Sequence, residues 1–472
     1  MEAKKLMLRE RDYMLAILTI LLSTLLLLSV FTPVKTHSQP LNPNPPSSPV
    51  KLVFIHHSIG KDWLDVGGLR KALNENNYYV TETYYDWGPL DLDVNDGKKI
   101  GDHTDIGHWY NWFLGPHRDT YLQALYTSSF TTGKNSIPDP GGENVIIVFK
   151  SCVSSAQVIY GNPDDPPLPK GEPNPLRGKG VCDDPECSGS NYYTVSNIKG
   201  LYRDLLDYFA TRQDKMFILI TTPPSHDQAV DAELAAKLRA INTWLVYHWL
   251  DDYPYNNVFV FDYYNVLTSN GGDPNTNDLG AETGNHHRYW NGEVQHVIGY
   301  KNDFLAYPTY WDGQPDNHPS AAGHQKATGE FVTLLNIAYH CWKGDGGCPK
   351  LMGRSGGETP PAQPPPQPPA ETKNETQQPQ ETQQPQETSQ PPPQQPPPQR
   401  QSTQPPPQQP QQQPPSQQPP PAETPTETGG MEDVKMILAT IVALTVVNVV
   451  ILVIILKKRR EKPLPPPPPP PP

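Results

Sequence analysis

The sequence predicts an α/β fold in which a central parallel sheet carries helices on both of its faces. Short apolar segments with strand-like composition alternate with longer segments of helical periodicity, the order that parallel sheets require. Two of the short segments, Asn144–Phe149 and Met216–Thr222, are apolar at nearly every position, as in strands buried on both faces. Polar residues follow several of these strands directly, and α/β proteins bind ligands at such strand ends.

The predicted elements begin at Lys51–Ile55, a β-branched apolar run that ends at His56, His57 and Ser58. After Gly60 the apolar spacing becomes that of a helix. The remaining predicted strands are Tyr78–Tyr84, Asn144–Phe149, Met216–Thr222 and Val258–Phe261. The remaining predicted helices are Val195–Ala210, Ala232–Trp249 and Ala321–Tyr339. The first strand therefore places three polar side chains at the carboxyl edge of the sheet.

The globular domain is expected to span residues 50–350 because low-complexity sequence borders it on both sides. Most of the 59 prolines of the chain lie beyond it. Residues 351–431 are dominated by Pro, Gln, Glu and Thr, which cannot bury a core and predict a disordered stalk. Residues 36–49 form a shorter proline- and asparagine-rich spacer. The domain between them is long enough for one hydrophobic core.

Two apolar segments predict that the protein is attached to a membrane. Residues 1–35 contain a leucine-rich run preceded by basic residues, the layout of a signal peptide or a signal anchor. Residues 436–456 are long and apolar enough for a transmembrane helix, and the basic, polyproline tail 457–472 follows them. Because basic flanks stay in the cytoplasm, we expect the domain to be extracellular and anchored in the cell membrane.

The charge argues against one class of partner, and the cysteine content fits an exported protein. The formal net charge of -13 argues against nucleic acid as the main partner. Four of the five cysteines form two pairs that are close in sequence, and they predict local disulfides Cys182–Cys187 and Cys341–Cys348. Zinc binding by the same four is the alternative. Neither pair has the two-residue spacing of structural zinc sites, so we favour disulfides.

A nucleophile, a base and an acid come from opposite ends of the domain. Ser58 follows the first strand, whereas Asp316 and His318 precede the last helix. A serine hydroxyl needs an imidazole that takes its proton and later returns it to the leaving group. A carboxylate then orients the imidazole. We therefore expect Ser58 to be the nucleophile, His318 the general acid/base and Asp316 the orienting acid, with Asp312 as an alternative acid.

With these motifs the sequence resembles the SGNH or GDSL-like serine hydrolases. The resemblance spans about Val50–Tyr339 and is carried by FIHHSIG, NVIIVFKSC and DNHPSAAG. It implies a flavodoxin-like three-layer α/β/α sandwich around the parallel sheet. It also implies that Ser58 is the nucleophile and His318 the base. We expect no cofactor and no metal.

The sequence departs from the family pattern at the nucleophile and at the acid. His56 and His57 stand where the family has Gly-Asp before the serine. Asp316 lies two residues before His318 rather than three. His57 is expected to shape the substrate site rather than to act as the base.

The third departure concerns the oxyanion hole. The family's Gly-x-Asn-Asp block is replaced by Lys150-Ser151-Cys152, which removes an asparagine that normally helps to hold the oxyanion. Losing one such donor typically costs about 10²- to 10³-fold in rate. The candidate replacements are Gly88, Ser151 and the backbone N–H of Ser58.

Two further segments supply candidate substrate residues. Asp105 and His108 lie in the aromatic segment Asp102–Phe113, which suits a sugar-binding cleft or, equally, a helix that packs its tryptophans on the core. His286 and His287 belong to a histidine-rich patch that predicts substrate contacts or a network that stabilises a loop. Metal catalysis by this patch is the alternative, although adjacent histidines rarely bind the same ion. The other members of the patch are Asp262, Asn285, Arg288 and His296.

These observations predict a cell-surface-anchored serine ester hydrolase that acts on acyl or acetyl esters, such as those of an O-acetylated surface carbohydrate. The alternative is a non-catalytic, hydrolase-like module that binds a glycan or a protein partner. A large separation between Ser58 and His318 would favour the binding module.

Overall fold

The chain folds around a five-stranded parallel sheet. The computed structural model describes residues 14, 39–183, 189, 192–300 and 302–354. The strands lie in the order β2-β1-β3-β4-β5, and every neighbouring pair is parallel. They are β1 Val50–Ile55, β2 Tyr78–Thr83, β3 Ile146–Lys150, β4 Met216–Ile220 and β5 Val258–Phe261. The predicted α/β class and the parallel sheet are confirmed.

Helices cover both faces of this sheet. They are α1 Ser58–Asp65, α2 Leu69–Glu75, α3 Trp109–Phe113, α4 Arg118–Thr127, α5 Val195–Phe209, α6 Ala232–Tyr247, α7 Tyr263–Val266 and α8 Ala321–Lys343. Alternate side chains of β1 enter two different hydrophobic clusters. Val53 and Ile55 join the cluster under α5 and α6, whereas Leu52 and Phe54 join the one under α1, α2 and α8. A strand buried on both faces explains the continuous apolar sequence.

The last helix is longer than predicted and carries one of the predicted disulfides. Helix α8 continues past Tyr339 to Lys343 and ends at Gly344, whose φ of 77° suits a glycine. Cys341 in this helix is joined to Cys348 by a disulfide. The other predicted disulfide involves Cys187, which lies outside the described residues.

Two antiparallel hairpins, which the sequence analysis did not predict, lie between β5 and α8. The first pairs β6 Asn285–Trp290 with β7 Glu293–Ile298, and the second pairs β8 Pro308–Trp311 with β9 Gln314–Pro319. Each turn contains a two-residue sequence with positive φ, Asn291-Gly292 in the first and Asp312-Gly313 in the second. Strand β9 contains both Asp316 and His318.

Several predictions fall on residues that the structure does not describe. These are the signal segment 1–35 apart from residue 14, the stalk beyond residue 354, the transmembrane segment 436–456 and the tail 457–472. All described residues belong to the first of two units, Met1–Pro368 and Pro369–Pro472. Within the described ranges, no helix is both long and apolar enough to cross a membrane.

Candidate active site

Ser58 stands where β1 turns into a helix. The strand ends at Ile55, His57 is extended with φ of -118°, and Ser58 is the first residue of α1. The first N–H groups of a helix have no partner within the helix. The Ser58 backbone N–H is therefore available at the carboxyl edge of the sheet, next to its own partly buried hydroxyl.

The hairpin β8–β9 brings a histidine and an acid to this serine. His318 Nε2 lies 2.8 Å from Ser58 Oγ, and His318 Nδ1 lies 2.5 Å from Asp316 Oδ1. A carboxylate only accepts, so Nδ1 carries the proton and Nε2 accepts from the Ser58 hydroxyl. Burial by itself would raise the pKa of Asp316, but the hydrogen bonds from His318 lower it below its usual value. The structure thus brings Ser58, His318 and Asp316, the three residues predicted from the sequence, into one hydrogen-bonded series, which we call the relay.

A local irregularity of β9 explains the two-residue spacing of the acid and the histidine. Asp316 pairs with Thr309 and Pro319 with Pro308, so the register shifts at the intervening residues, which include His318. The backbone N–H of His318 donates to Asp316 Oδ1 at 2.7 Å, a turn-like bond that brings the two side chains together. Asp312, the alternative acid, is exposed in the hairpin turn with φ of 48°, and it is Asp316 that bonds to His318.

His56 anchors the backbone just before Ser58. Its side chain is fully buried, with Nδ1 2.8 Å from the carbonyl oxygen of His57 and Nε2 3.0 Å from Glu82 Oε2. Arg70 and the backbone N–H of Thr132 also donate to the Glu82 carboxylate. Burial alone would raise the pKa of Glu82, but these bonds, that from His56 above all, lower it to about 2. The network fixes the strand end that carries Ser58.

His57 packs against Tyr85 at the carboxyl edge of the sheet. Its Nε2 donates to the carbonyl oxygen of Gly101 at 2.8 Å, and burial lowers the pKa of His57 to about 4. Its neutral ring packs against the ring of Tyr85, with 4.0 Å between the centroids. Tyr85 follows β2, the edge strand beside β1, and is 44 % exposed. His57 is thus a support for Tyr85, consistent with a role in shaping the site.

The two sequence-predicted oxyanion candidates outside α1 lie in different environments. Ser151 is fully buried, and its hydroxyl accepts a hydrogen bond from the Trp109 indole at 2.8 Å. Its carbonyl oxygen accepts from the buried Lys150 ammonium, and burial lowers the pKa of Lys150 to about 8. Gly88 has φ of 86°, and a Cβ there would come within 3.0 Å of Ile100. No hydrogen bond among the described residues joins Ser151 or Gly88 to Ser58.

Asp105 and His108 hold loops together. The Asp105 carboxylate accepts from the hydroxyl of Ser154 at 2.6 Å and from the backbone N–H of Val181 at 2.9 Å. His108 is buried, which lowers its pKa to about 4. The tryptophans of this segment, Trp109 and Trp112, have no exposed surface. The segment therefore packs on the core, the second of the two interpretations of its sequence.

The histidine-rich patch is a buried network with its own partners. His286 Nδ1 lies 2.8 Å from Glu330, and His287 Nδ1 accepts from the backbone N–H of Asp262 at 2.8 Å. His296 donates to the Asp262 carboxylate at 2.8 Å. In the part of the chain that the structure describes, no group of three or more His, Cys, Asp or Glu side chains is arranged to hold a metal ion. The patch connects β5, β6 and α8 and has no hydrogen bond to Ser58 or His318 there.

Comparison with known proteins returns no relative. No family model, no curated protein and no solved structure matches the chain. The arrangement at Ser58 therefore has to be interpreted from its own geometry. That geometry supplies a hydroxyl, an imidazole in the accepting tautomer and an ionised carboxylate in one hydrogen-bonded series, beside the backbone N–H of the first residue of α1.

Glu82 and Tyr85 are the site residues that the sequence analysis missed. Glu82 is the charged residue of β2, whose other residues are Tyr, Val and Thr, and this is a signal for a buried charge partner. Tyr85 lies just beyond the end of β2 at Thr83, and β2 pairs with β1, so its position at the carboxyl edge could have been inferred from the parallel sheet.

Proposed function

We propose that the protein is a serine ester hydrolase with Ser58 as nucleophile, His318 as general acid/base and Asp316 as the orienting acid. The observation that carries the proposal is the series of contacts from Ser58 Oγ to His318 at 2.8 Å and from His318 to Asp316 at 2.5 Å. A module that only binds a ligand does not require His318 to accept from the Ser58 hydroxyl while it donates to Asp316. The relay therefore supports an enzyme over the non-catalytic alternative.

The geometry supports a two-step reaction. Ser58 Oγ attacks the ester carbonyl carbon while His318 Nε2 takes its proton. The Ser58 backbone N–H stabilises the resulting oxyanion, and Asp316 stabilises the imidazolium. His318 then returns the proton to the departing alcohol, which leaves an acyl group on Ser58. Water, deprotonated by the same imidazole, releases the acid and restores the serine.

The strand order supports the finer description of the fold. The order β2-β1-β3-β4-β5 is that of flavodoxin-like sheets, and helices lie on both faces. A three-layer α/β/α sandwich with its nucleophile after β1 and its base before the last helix is the arrangement that the resemblance to SGNH or GDSL-like hydrolases implies. We propose membership of that superfamily on this basis.

Exposed aromatic rings support a carbohydrate ester as the substrate. Tyr310 is 66 % and Trp311 is 81 % exposed, and both lie on β8, which pairs with the strand that carries His318. Aromatic faces of this kind stack on sugar rings. The Cys341–Cys348 disulfide is expected in an oxidising compartment, which supports a domain anchored at the cell surface by residues 436–456.

The proposal is tested with a fluorophosphonate probe and an aryl acetate. We expect the probe to label the purified full chain at Ser58 and the chain to hydrolyse aryl acetate, whereas Ser58→Ala abolishes both. Unchanged hydrolysis by Ser58→Ala would exclude the serine mechanism. Loss of turnover on chelation would support metal catalysis instead.

A further inference from the structure

The oxyanion hole of the proposed hydrolase has one evident donor, the backbone N–H of Ser58. No hydrogen bond among the described residues joins the two other predicted donors, Gly88 and Ser151, to Ser58, and the Ser151 hydroxyl already bonds to Trp109. One donor is fewer than such sites normally offer, and each donor is worth about 10²- to 10³-fold in rate. A second group close to Ser58 is therefore required for efficient acyl transfer.

Tyr85 is the side chain placed to supply it. Its ring lies against His57, the residue directly before the nucleophile, at 4.0 Å between centroids. The parallel register that pairs Ile55 with Thr83 places Tyr85 at the same sheet edge as Ser58. Burial raises the pKa of Tyr85, and the hydroxyl and backbone N–H of Ser58 act against this rise. Tyr85 remains 44 % exposed, so a substrate can reach it from solvent.

The hydrogen-bond directions are compatible with a donor role. The Ser58 hydroxyl donates to His318, which leaves lone pairs on Ser58 Oγ for the phenol O–H. An ester carbonyl oxygen that binds to the Ser58 N–H would lie beside the Tyr85 phenol, because the Tyr85 ring packs on His57, the residue directly before Ser58. Burial raises the pKa of Tyr85 most, and the nearby Cys152 raises it further. The phenol therefore keeps the proton that it has to donate.

We propose that the phenol O–H of Tyr85 is the second oxyanion donor, in place of the amide that the sequence lacks. This inference rests on the proposed ester hydrolase function. When Ser58 Oγ bonds to the carbonyl carbon, the C=O π electrons move to the oxygen, which accepts hydrogen bonds from the Ser58 N–H and the Tyr85 O–H. The phenol retains its proton throughout. The oxygen re-forms the double bond as the alcohol leaves with the proton from His318.

The pair of histidines before Ser58 has a function in this arrangement. His56 fixes the carbonyl of His57 through its own ring, and His57 is held by the Gly101 carbonyl. The imidazole of His57 is therefore a rigid platform for the Tyr85 ring, and we assign it as a positioning residue. His57→Ala is expected to lower kcat, with smaller loss in His57→Phe because the ring contact is kept.

The test compares Tyr85→Phe with Tyr84→Phe in the purified full chain. Tyr85→Phe keeps the ring and is expected to lower kcat for an aryl acetate by about 10²-fold, with KM changed by less than about threefold. Affinity for an aryl trifluoromethyl ketone, which forms an oxyanion with Ser58, should fall by a similar factor. Tyr84→Phe removes the hydroxyl of the neighbouring ring and should retain wild-type kinetics.

Two results would overturn the donor role. One is a Tyr85→Phe variant with wild-type kcat in an enzyme that is labelled at Ser58, and the other is a rise in KM alone, which indicates substrate binding only. If the wild-type chain neither hydrolyses the ester nor reacts with the fluorophosphonate, the proposed function fails first and the role of Tyr85 fails with it.

Discussion

His318 Nε2 lies 2.8 Å from Ser58 Oγ although 260 residues separate the two along the chain. The contact depends on β1, which ends just before Ser58, and on the hairpin β8–β9, which carries His318 beside the first turn of α1. The contact between Ser58 and His318 depends on long-range packing, whereas that between His318 and Asp316 is local to β9.

The first prediction concerns the acid. Asp316→Asn is expected to lower kcat for an aryl acetate by about 10²- to 10⁴-fold, because an amide no longer fixes the His318 tautomer or stabilises the imidazolium. Steady-state kinetics on the purified chain measure this fall in kcat. Asp312→Asn, in the turn of the same hairpin, is the matched control and should retain wild-type activity. A strong loss in Asp312→Asn instead would assign the acid to that residue.

The second prediction concerns the buried charge behind the nucleophile. Glu82→Gln should lower the free energy of unfolding by about 3 kcal/mol or more, because it leaves Arg70 and His56 without their shared carboxylate in the protein interior. Urea denaturation measures this. Glu75→Gln removes an exposed partner of Lys71 and should change stability by less than about 1 kcal/mol. Equal effects of the two variants would contradict the stabilising role of Glu82.

The sheet could be predicted from the sequence because its strands are buried on both faces. Burial makes Ile146–Lys150 and Met216–Ile220 almost continuously apolar, and that pattern is visible without a structure. The relay was predicted for a similar reason, since its members lie at the ends of recognisable elements. The distance between Ser58 and His318 was not predictable, because it depends on how the hairpin packs on α1.

The two hairpins were missed although their turns have a sequence signal. Asn291-Gly292 and Asp312-Gly313 are the dipeptides that favour two-residue turns. Strand β6 is polar although residues 285–288 are buried, because its side chains bond to a buried carboxylate and to backbone groups. Strand β8 is polar because it is partly exposed. Because apolar and polar residues do not alternate in these strands, the sequence pattern did not predict them. Tyr85 was missed because its role depends on a neighbouring strand and not on its own sequence context.

The third prediction concerns acid pH. His287 is buried, which lowers its pKa to about 3 from an ordinary 6.5. Between these values the unfolded chain binds a proton that the native state does not, so stability falls as the pH falls from about 6.5 towards 3. From pH 7.5 to pH 5.0 this group alone accounts for a loss of up to about 2 kcal/mol. Urea denaturation at the two pH values measures the loss.

His287→Asn tests the assignment of that loss. The asparagine oxygen can still accept from the backbone N–H of Asp262, but it does not titrate, so the variant should lose about 2 kcal/mol less than wild type between pH 7.5 and pH 5.0. His248→Asn, at an exposed helix end, should leave the loss unchanged. The same pH dependence in wild type and His287→Asn would show that other groups cause it.

The fourth prediction concerns the exposed aromatic rings beside the relay. Trp311→Ala should lower kcat/KM for an O-acetylated polysaccharide by about tenfold, the equivalent of one lost aromatic contact, and should leave aryl acetate hydrolysis unchanged. The ring lies on the strand paired with β9 but outside the relay, so it can affect a long substrate without affecting the chemistry. Acetate release from the two substrates is the measurement.

Tyr255→Ala is the matched control for Trp311→Ala, because it also removes an exposed ring. Tyr255 precedes β5 and so lies at the amino end of the parallel sheet, opposite the edge that carries Ser58. A substrate bound at Ser58 should not reach it, and both substrates should be hydrolysed at wild-type rates. If Trp311→Ala slows aryl acetate and polysaccharide equally, the ring acts on the catalytic strand rather than on the sugar. If Trp311→Ala slows the hydrolysis of neither substrate, the exposed rings of β8 no longer support a carbohydrate ester as the substrate.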